Sequence, residues 1–207
     1  MKITKIEKKS GTRYTVDVDG EYFYIFDIEI LTRNQIRVGT EVDEKLLKKL
    51  RCQAEVRKAK ERAFHLLSYR DHSEQELFDK LCKTTSPKIA AFTVAKMKEL
   101  HLIDNEQYAQ KLARYFLTEK CWGFRKCVFE MKRKGIQSEL AEEALTACRI
   151  DPLEQIAKWI EQKYIRYLGD FKGNQKVIQA LIRQGFEYDN IKTVVNEYLT
   201  AEAIEDF

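Results

Sequence analysis

Hydrophobic positions change their period once along the chain. Through RYTVDVDGEYFYIF, residues 13–26, they alternate in a stretch rich in Tyr, Val and Phe, with Asp19-Gly20 at its centre. Alternation predicts strands, and an Asp-Gly pair suits a two-residue type I′ turn in which both residues take positive φ. That turn predicts Val18 opposite Glu21, Val16 opposite Phe23 and Tyr14 opposite Ile25, with Thr15, Tyr22 and Tyr24 on the other face. Residues 3–8 are available as a third strand, reached through Ser10-Gly11. The tyrosine-rich face is expected to pack on the following helix, although its chemistry also suits stacked bases. From Asp43 onward the period is 3.6. It predicts nine helices, near 43–69, 73–83, 87–101, 104–120, 123–134, 138–148, 151–168, 173–184 and 188–203. Ser73-x-x-Glu76 and Asp104-x-x-Gln107 read as capping boxes. Ser86-Pro87 and Asp151-Pro152 read as capping side chains before a first-turn proline. Gly135 and Gly185 read as left-handed C-terminal caps.

The helical pattern repeats. Residues 121–136, CWGFRKCVFEMKRKGI, are echoed 50 positions later by FKGNQKVIQALIRQGF, matching Gly123 with Gly173, Lys126 with Lys176, Arg133 with Arg183 and Gly135 with Gly185. Fifty positions earlier, DHSEQELFDKLCKTTS keeps only the apolar skeleton. Leu77, Cys127 and Val177 align, as do Phe78, Val128 and Ile178, and Leu81, Met131 and Leu181. Ser73 and Thr85 replace the two glycines, so the first copy is expected to cap its helices differently. Nine helices in three copies imply a mainly α fold: a tandem array of three-helix repeats, each too small to bury its apolar face alone. The expected organisation is a small antiparallel hairpin or sheet over 1–42 and repeats over 43–103, 104–150 and 151–207. A 12-residue helix is about 18 Å long, so three stacked units are expected to form an elongated, curved rod.

Composition agrees with helix: 34% of the 207 residues are charged, with only two prolines and eight glycines. No apolar run reaches the roughly 18 residues of a membrane span, and the start of the chain reads as no signal peptide. The five cysteines form no CxxC pair, which leads us to expect reduced thiols, no metal and a cytoplasmic protein. No phosphate loop or GxGxxG is present, and Arg70-Asp71-His72-Ser73 cannot act as a triad because neighbours in sequence do not face one another. Glu142-Glu143 and Asp104-Glu106 read as solvated carboxylates, His65 and His101 as fillers. The expectation is a monomeric binding protein without cofactor, not an enzyme.

Charge is placed unevenly. Six Lys/Arg face two acids in 51–70, eight face two in 111–134, and 195–207 hold four acids and no base. Clustered bases attract polyanions. The candidate partner-binding or DNA-binding residues are therefore Arg57, Lys58, Arg62 and Arg70 in the first cluster. In the second they are Lys111, Arg114, Arg125, Lys126, Lys132, Arg133 and Lys134, interleaved with Trp122, Phe124 and Phe129. Trp122 and Phe124 are expected to anchor an interface between repeats, while Arg125, Phe129 and Lys132 fall on one helix face.

At LLSYRDHSEQELFDKL (66–81) and MKELHLIDNEQYAQKLARYFLTEKCWGFRKCVFEMKRKGI (97–136) the sequence resembles the RecX family of RecA regulators. The residues that carry the resemblance are Leu66-Leu67, Arg70, Ser73, Glu76-Leu77, Leu102-Ile103-Asp104, Tyr108-Ala109, Gly123 and Lys134-Gly135-Ile136. Asn105 stands where a second Asp is common, and Thr84-Thr85 where Lys-Gly is common. The resemblance spans roughly 55–200 and implies a partner, the RecA–DNA filament. On that filament such proteins lie along the groove, restrain the ATPase and strand exchange, and promote disassembly, acting in recombination and repair. Some members bind DNA themselves, so the competing expectation is a nonspecific DNA-binding repeat protein acting without RecA.

Overall fold

A computed structural model describes the backbone of residues 1–205 and the side chains of residues 1–200. Three of the four acids of the C-terminal segment, Glu202, Glu205 and Asp206, therefore lie outside the described side chains, as does the end of the 151–207 repeat. The chain forms two compact units, residues 1–70 with 77–102, and residues 71–76 with 103–207.

The first unit opens with a sheet of order β1-β2-β3: β1 Ile3–Ser10, β2 Arg13–Val18 and β3 Glu21–Asp27, all antiparallel. Asp19 (φ +50) and Gly20 (φ +88) make the expected turn. The register beyond it differs from the expectation. Val18 faces Glu21, but a bulge then places Val16 opposite Tyr24 and Tyr14 opposite Phe26, leaving Phe23 as the extra residue. Tyr22–Phe26 are five apolar or aromatic residues in a row, so alternation does not specify which of them face inward. The bulge puts Phe26 into the core beside Val16, both almost fully buried.

A short helix the periodicity does not predict, α1 Ile28–Arg33, follows at once. Asp27 caps it by accepting from the Glu29 N–H at 3.0 Å, and Ile30 and Leu31 are buried. At six residues it is too short for a 3.6 period to show. Helix α2 Glu44–Tyr69, capped by Asp43, joins the two halves of this unit. Leu47, Leu50 and Ala54 pack into the sheet cluster, and Ala59 and Ala63 are buried further along, where α2 meets α4 Pro87–Glu99. Ser86 takes the N-cap position of α4 as expected, but its side chain makes no capping bond. Helix α3, Glu74–Cys82, precedes it.

In the second unit, α5 Asn105–Arg114, α6 Phe124–Arg133 and α7 Ser138–Ala147 enclose one core. Helices α8 Pro152–Trp159, α9 Phe171–Arg183 and α10 Tyr188–Glu205 enclose another. The described residues thus form ten α-helices, one more than predicted. Asp104 and Asp151 cap α5 and α8 by accepting from Gln107 N–H and Leu153 N–H. Two predicted continuous helices are broken: α5 gives way to a π-helical turn at Tyr115–Glu119, and α8 to another at Ile160–Tyr164 followed by a 3-10 turn. Helix α9 starts at Phe171 under the cap of Asp170 rather than at Gly173.

The apolar skeleton behaves as predicted in every copy. Leu77, Cys127 and Val177 are buried, Leu81, Met131 and Leu181 are fully buried, and Phe78, Val128 and Ile178 are half-buried. Burial of nine positions at one spacing is what a tandem helical array requires. Among the described residues no helix is long and apolar enough to cross a membrane.

Candidate partner-binding surface on the middle repeat

Helix α6 is positioned at both ends by backbone. Its C-terminus closes as a Schellman cap: Gly135, at φ +78, donates to Lys132 O at 2.9 Å and Ile136 N–H donates to Met131 O at 3.1 Å. Helix α9 ends in the same way at Gly185, φ +90. Each cap then meets the start of an earlier helix. The Ser73 Oγ, which accepts from Glu76 N–H at 3.0 Å, donates to Lys134 O at 2.5 Å. Gly123 N–H donates to Gln184 O at 2.9 Å, and Arg125 N–H to Gly185 O at 3.2 Å. Both junctions span 61 residues of sequence.

At Gly123 and Gly185 the backbones nearly touch, and at Gly135 the Ser73 and Gln75 side chains leave no room for a Cβ. A Cβ on Gly185 would lie 2.4 Å from Lys126 N, one on Gly123 would lie 2.4 Å from the Gly185 backbone, and one on Gly135 would lie 2.6 Å from Ser73 Oγ. The matched pair Gly123 and Gly173 is different: Gly123 is an N-cap, whereas Gly173 lies inside the first turn of α9 and donates to Asp170.

Side chains of the third repeat complete the fit. Two carbonyls in and just after the π turn that follows α5 are met by such side chains. Gln155, only 5% exposed, donates to Leu117 O at 2.7 Å, and the Trp159 indole N–H donates to Cys121 O at 2.6 Å. Asn105, the departure from the family pattern, accepts from Glu74 N–H at 3.0 Å and so caps α3. None of these three was singled out from sequence as a partner-holding residue. Only Asn105, noted as a departure from the family pattern, carried a signal.

The exposed face of α6 carries Arg125, Phe129, Lys132 and Arg133. Phe129 is 60% exposed. Phe124 is 41% exposed, so it does not anchor an interface as expected. Trp122 instead packs into the core of its own repeat, half-buried against Phe116 with ring centroids 5.0 Å apart and the Lys126 ammonium 4.3 Å from its ring centroid. Arg125 pairs with Glu187 at 2.5 Å and Arg133 with Glu130 at 3.1 Å. Exposed pairs such as these are worth at most about 1 kcal/mol, so they give way readily to a stronger anion. Lys132 has no carboxylate partner among the described residues, and Lys126 donates to Gln184 Oε1 at 2.8 Å. Lys134 is half-buried and lends its carbonyl to Ser73.

The remaining candidates are dispersed. Lys111 pairs with Asp71 at 2.7 Å, and Arg114 lines a groove between α5 and α7. Arg57 is held by Asp27, Glu29 and Glu61. Lys58 and Arg62 are exposed on α2, and Arg70 ends that helix. The α6 face is therefore where the structure brings three of the eleven predicted cations, Arg125, Lys132 and Arg133, together with an exposed aromatic ring. Neither redox nor metal chemistry is evident there. Burial pushes the Cys127 thiol up to about 12, and no cluster of His, Cys, Asp or Glu among the described residues could hold a metal ion.

Comparison with known proteins places this arrangement. The model of the first three-helix domain of RecX matches residues 59–97, and that of the third three-helix domain matches residues 150–195. The regulatory protein RecX of Caldanaerobacter subterraneus subsp. tengcongensis is 31% identical over 201 residues, covering 95% of this chain and 99% of that protein. That of Bacillus subtilis is 28% identical, covering 94% of this chain and 76% of its own length. A crystal structure of a regulatory protein RecX superposes with a TM-score of 0.70 at 26% identity, covering 94% of this chain and 98% of that one. The crystal structure of RecX from Lactobacillus salivarius gives 0.62 at 26% identity, over 70% of this chain and 96% of that one.

Proposed function

The chain belongs to the RecX family, and from that premise we propose that it regulates RecA recombinase by binding the RecA–DNA filament and restraining its ATPase and strand exchange in the cytoplasm. The observation that carries this reading is the α6 face, where Arg125, Phe129 and Lys132 form a basic and aromatic stripe on a helix clamped at both ends. A rigidly held cationic stripe loses little conformational freedom on meeting an anionic surface. We propose the helical units 43–103, 104–150 and 151–207 as the repeats that engage successive filament subunits. Several weak contacts on one chain then raise avidity without one strong site.

A second reading is nonspecific DNA binding without RecA, favoured by the same stripe because phosphate neutralisation needs only clustered cations. Salt separates the two. In a DNA-dependent ATPase assay with DNA pre-saturated by RecA, a filament-directed regulator inhibits well below one molecule per filament subunit, and inhibition survives raised salt. Inhibition that disappears with salt and with competitor DNA leaves only the DNA-binding reading.

A further inference from the structure

Away from α6, the first unit has a groove of about 340 Å³ between β3 and the middle of α2. That volume lies within the range of ligand sites. One wall is aromatic: Tyr22 is 63% exposed, and Tyr24 is half-buried against Phe26, ring centroids 5.3 Å apart. The bulge at Phe23 separates these two tyrosines in the register, yet both line the same groove.

The rim is cationic. Lys9 and Lys58 are exposed without carboxylate partners among the described residues, and Arg13 meets only Glu61, in an exposed pair at 3.3 Å. The two carboxylates of the lining, Asp27 and Glu61, are already engaged by Arg57. Burial works against ionising Asp27, but bonds from Thr12 and the Glu29 N–H, with Arg57 and Arg13 nearby, outweigh it and hold the carboxyl below its usual range. The groove acids are thus neutralised from within, while Lys9, Arg13 and Lys58 face outward to solvent. A small anion needs no aromatic wall, and an apolar ligand needs no cationic rim. A nucleobase carrying a phosphate uses both.

We propose that this groove binds a short stretch of single-stranded nucleic acid, with a base stacked on Tyr22 and Tyr24 and phosphates on Lys9, Arg13 and Lys58. Base–aromatic stacking tolerates any sequence, and a cationic track follows the backbone. The site lies wholly within residues 9–61 and does not rest on the filament reading.

The test uses the full chain carrying Arg125→Glu and Lys132→Glu, so that α6 cannot supply the binding. Anisotropy of a fluorescent oligothymidylate at low salt is expected to show binding. Adding Tyr22→Ala and Lys58→Glu is expected to weaken it roughly tenfold or more, with the melting temperature unchanged, while Tyr22→Phe retains it. A bromodeoxyuridine oligonucleotide is expected to crosslink to Tyr22 or Tyr24. Thymidine monophosphate is expected to compete poorly. Displacement of the oligonucleotide at equal nucleotide concentration would overturn the polymer as occupant and assign a free nucleotide to the groove. Unchanged affinity in the Tyr22→Ala, Lys58→Glu variant, or adducts confined to residues outside 9–61, would overturn the site.

Discussion

Helices α6 and α9 share a buried pattern and a closing cap but present different surfaces. Cys127 and Met131 match Val177 and Leu181 in the core, and Gly135 and Gly185 close the two helices in the same left-handed conformation. On the outside, Arg125, Phe129 and Lys132 of α6 correspond to Gln175, Gln179 and Ile182 of α9, and to Gln75, Asp79 and Cys82 in the first copy. Packing constrains only the inward positions, because a void or an overlap there costs kilocalories, whereas surface exchanges usually stay within about 0.5 kcal/mol. The outward positions were therefore free to diverge, and only the middle copy has acquired a ring flanked by cations. The difference confines the exposed ring flanked by cations to one of these three helices and leaves the buried pattern common to all three.

The strongest way to break that comparison is at the caps. Gly185→Val is expected to cost about 3 kcal/mol or more, combining a left-handed β-branched residue with overlap against the Lys126 backbone. Gly11→Ala, at φ +53 but in open space, is expected to cost only about 1–2 kcal/mol. Chemical denaturation of both variants checks this, and equal losses would show that φ alone, not close approach, governs the cap. Next comes Gln155→Leu, which strands the Leu117 carbonyl in the core and should lower stability by about 1–3 kcal/mol. Smallest in energy, but confined to function, is the double reversal Arg125→Glu with Lys132→Glu. It is expected to flatten the salt dependence of polyanion binding by about two units of slope without moving the melting temperature. The matching changes Gln175→Glu with Ile182→Glu on α9 should do much less. Equal effects from the two helices would erase the functional distinction between the copies.

How far the sequence could be read follows from what each signal measures. Periodicity reports burial, so the nine buried or half-buried core positions and the helical array were legible from spacing alone. Caps with a side-chain signature, at Ser73, Asp104 and Asp151, were legible too, because the bond they make spans only two or three residues. The strand register was not, because Tyr22–Phe26 gives no alternation from which to choose. Nor was the π turn at Tyr115–Glu119, whose Leu117 carbonyl meets a side chain, Gln155, that lies 38 residues away.

The candidate surface divides in the same way. That Arg125, Phe129 and Lys132 share a helix face followed from their spacing, but the exposure of Phe124 and the inward turn of Trp122 did not. Both are aromatic and adjacent to Gly123, and only the packing around Phe116 decides which ring finds a core.

The sequence by itself determined the local and periodic features: the capped helix starts at Ser73, Asp104 and Asp151, which residues the repeats bury, and that a unit recurs every 50 residues. These depend on interactions within a turn or two of chain, which act in the same way wherever the segment sits. Tertiary structure alone decided the close approaches around the glycines at 123, 135 and 185, the last two of which the sequence already marks as left-handed caps. Distant backbone at Gly123 and Gly185, and the distant side chains of Ser73 and Gln75 at Gly135, come too close for a Cβ, and a contact between distant segments leaves no periodic trace in either.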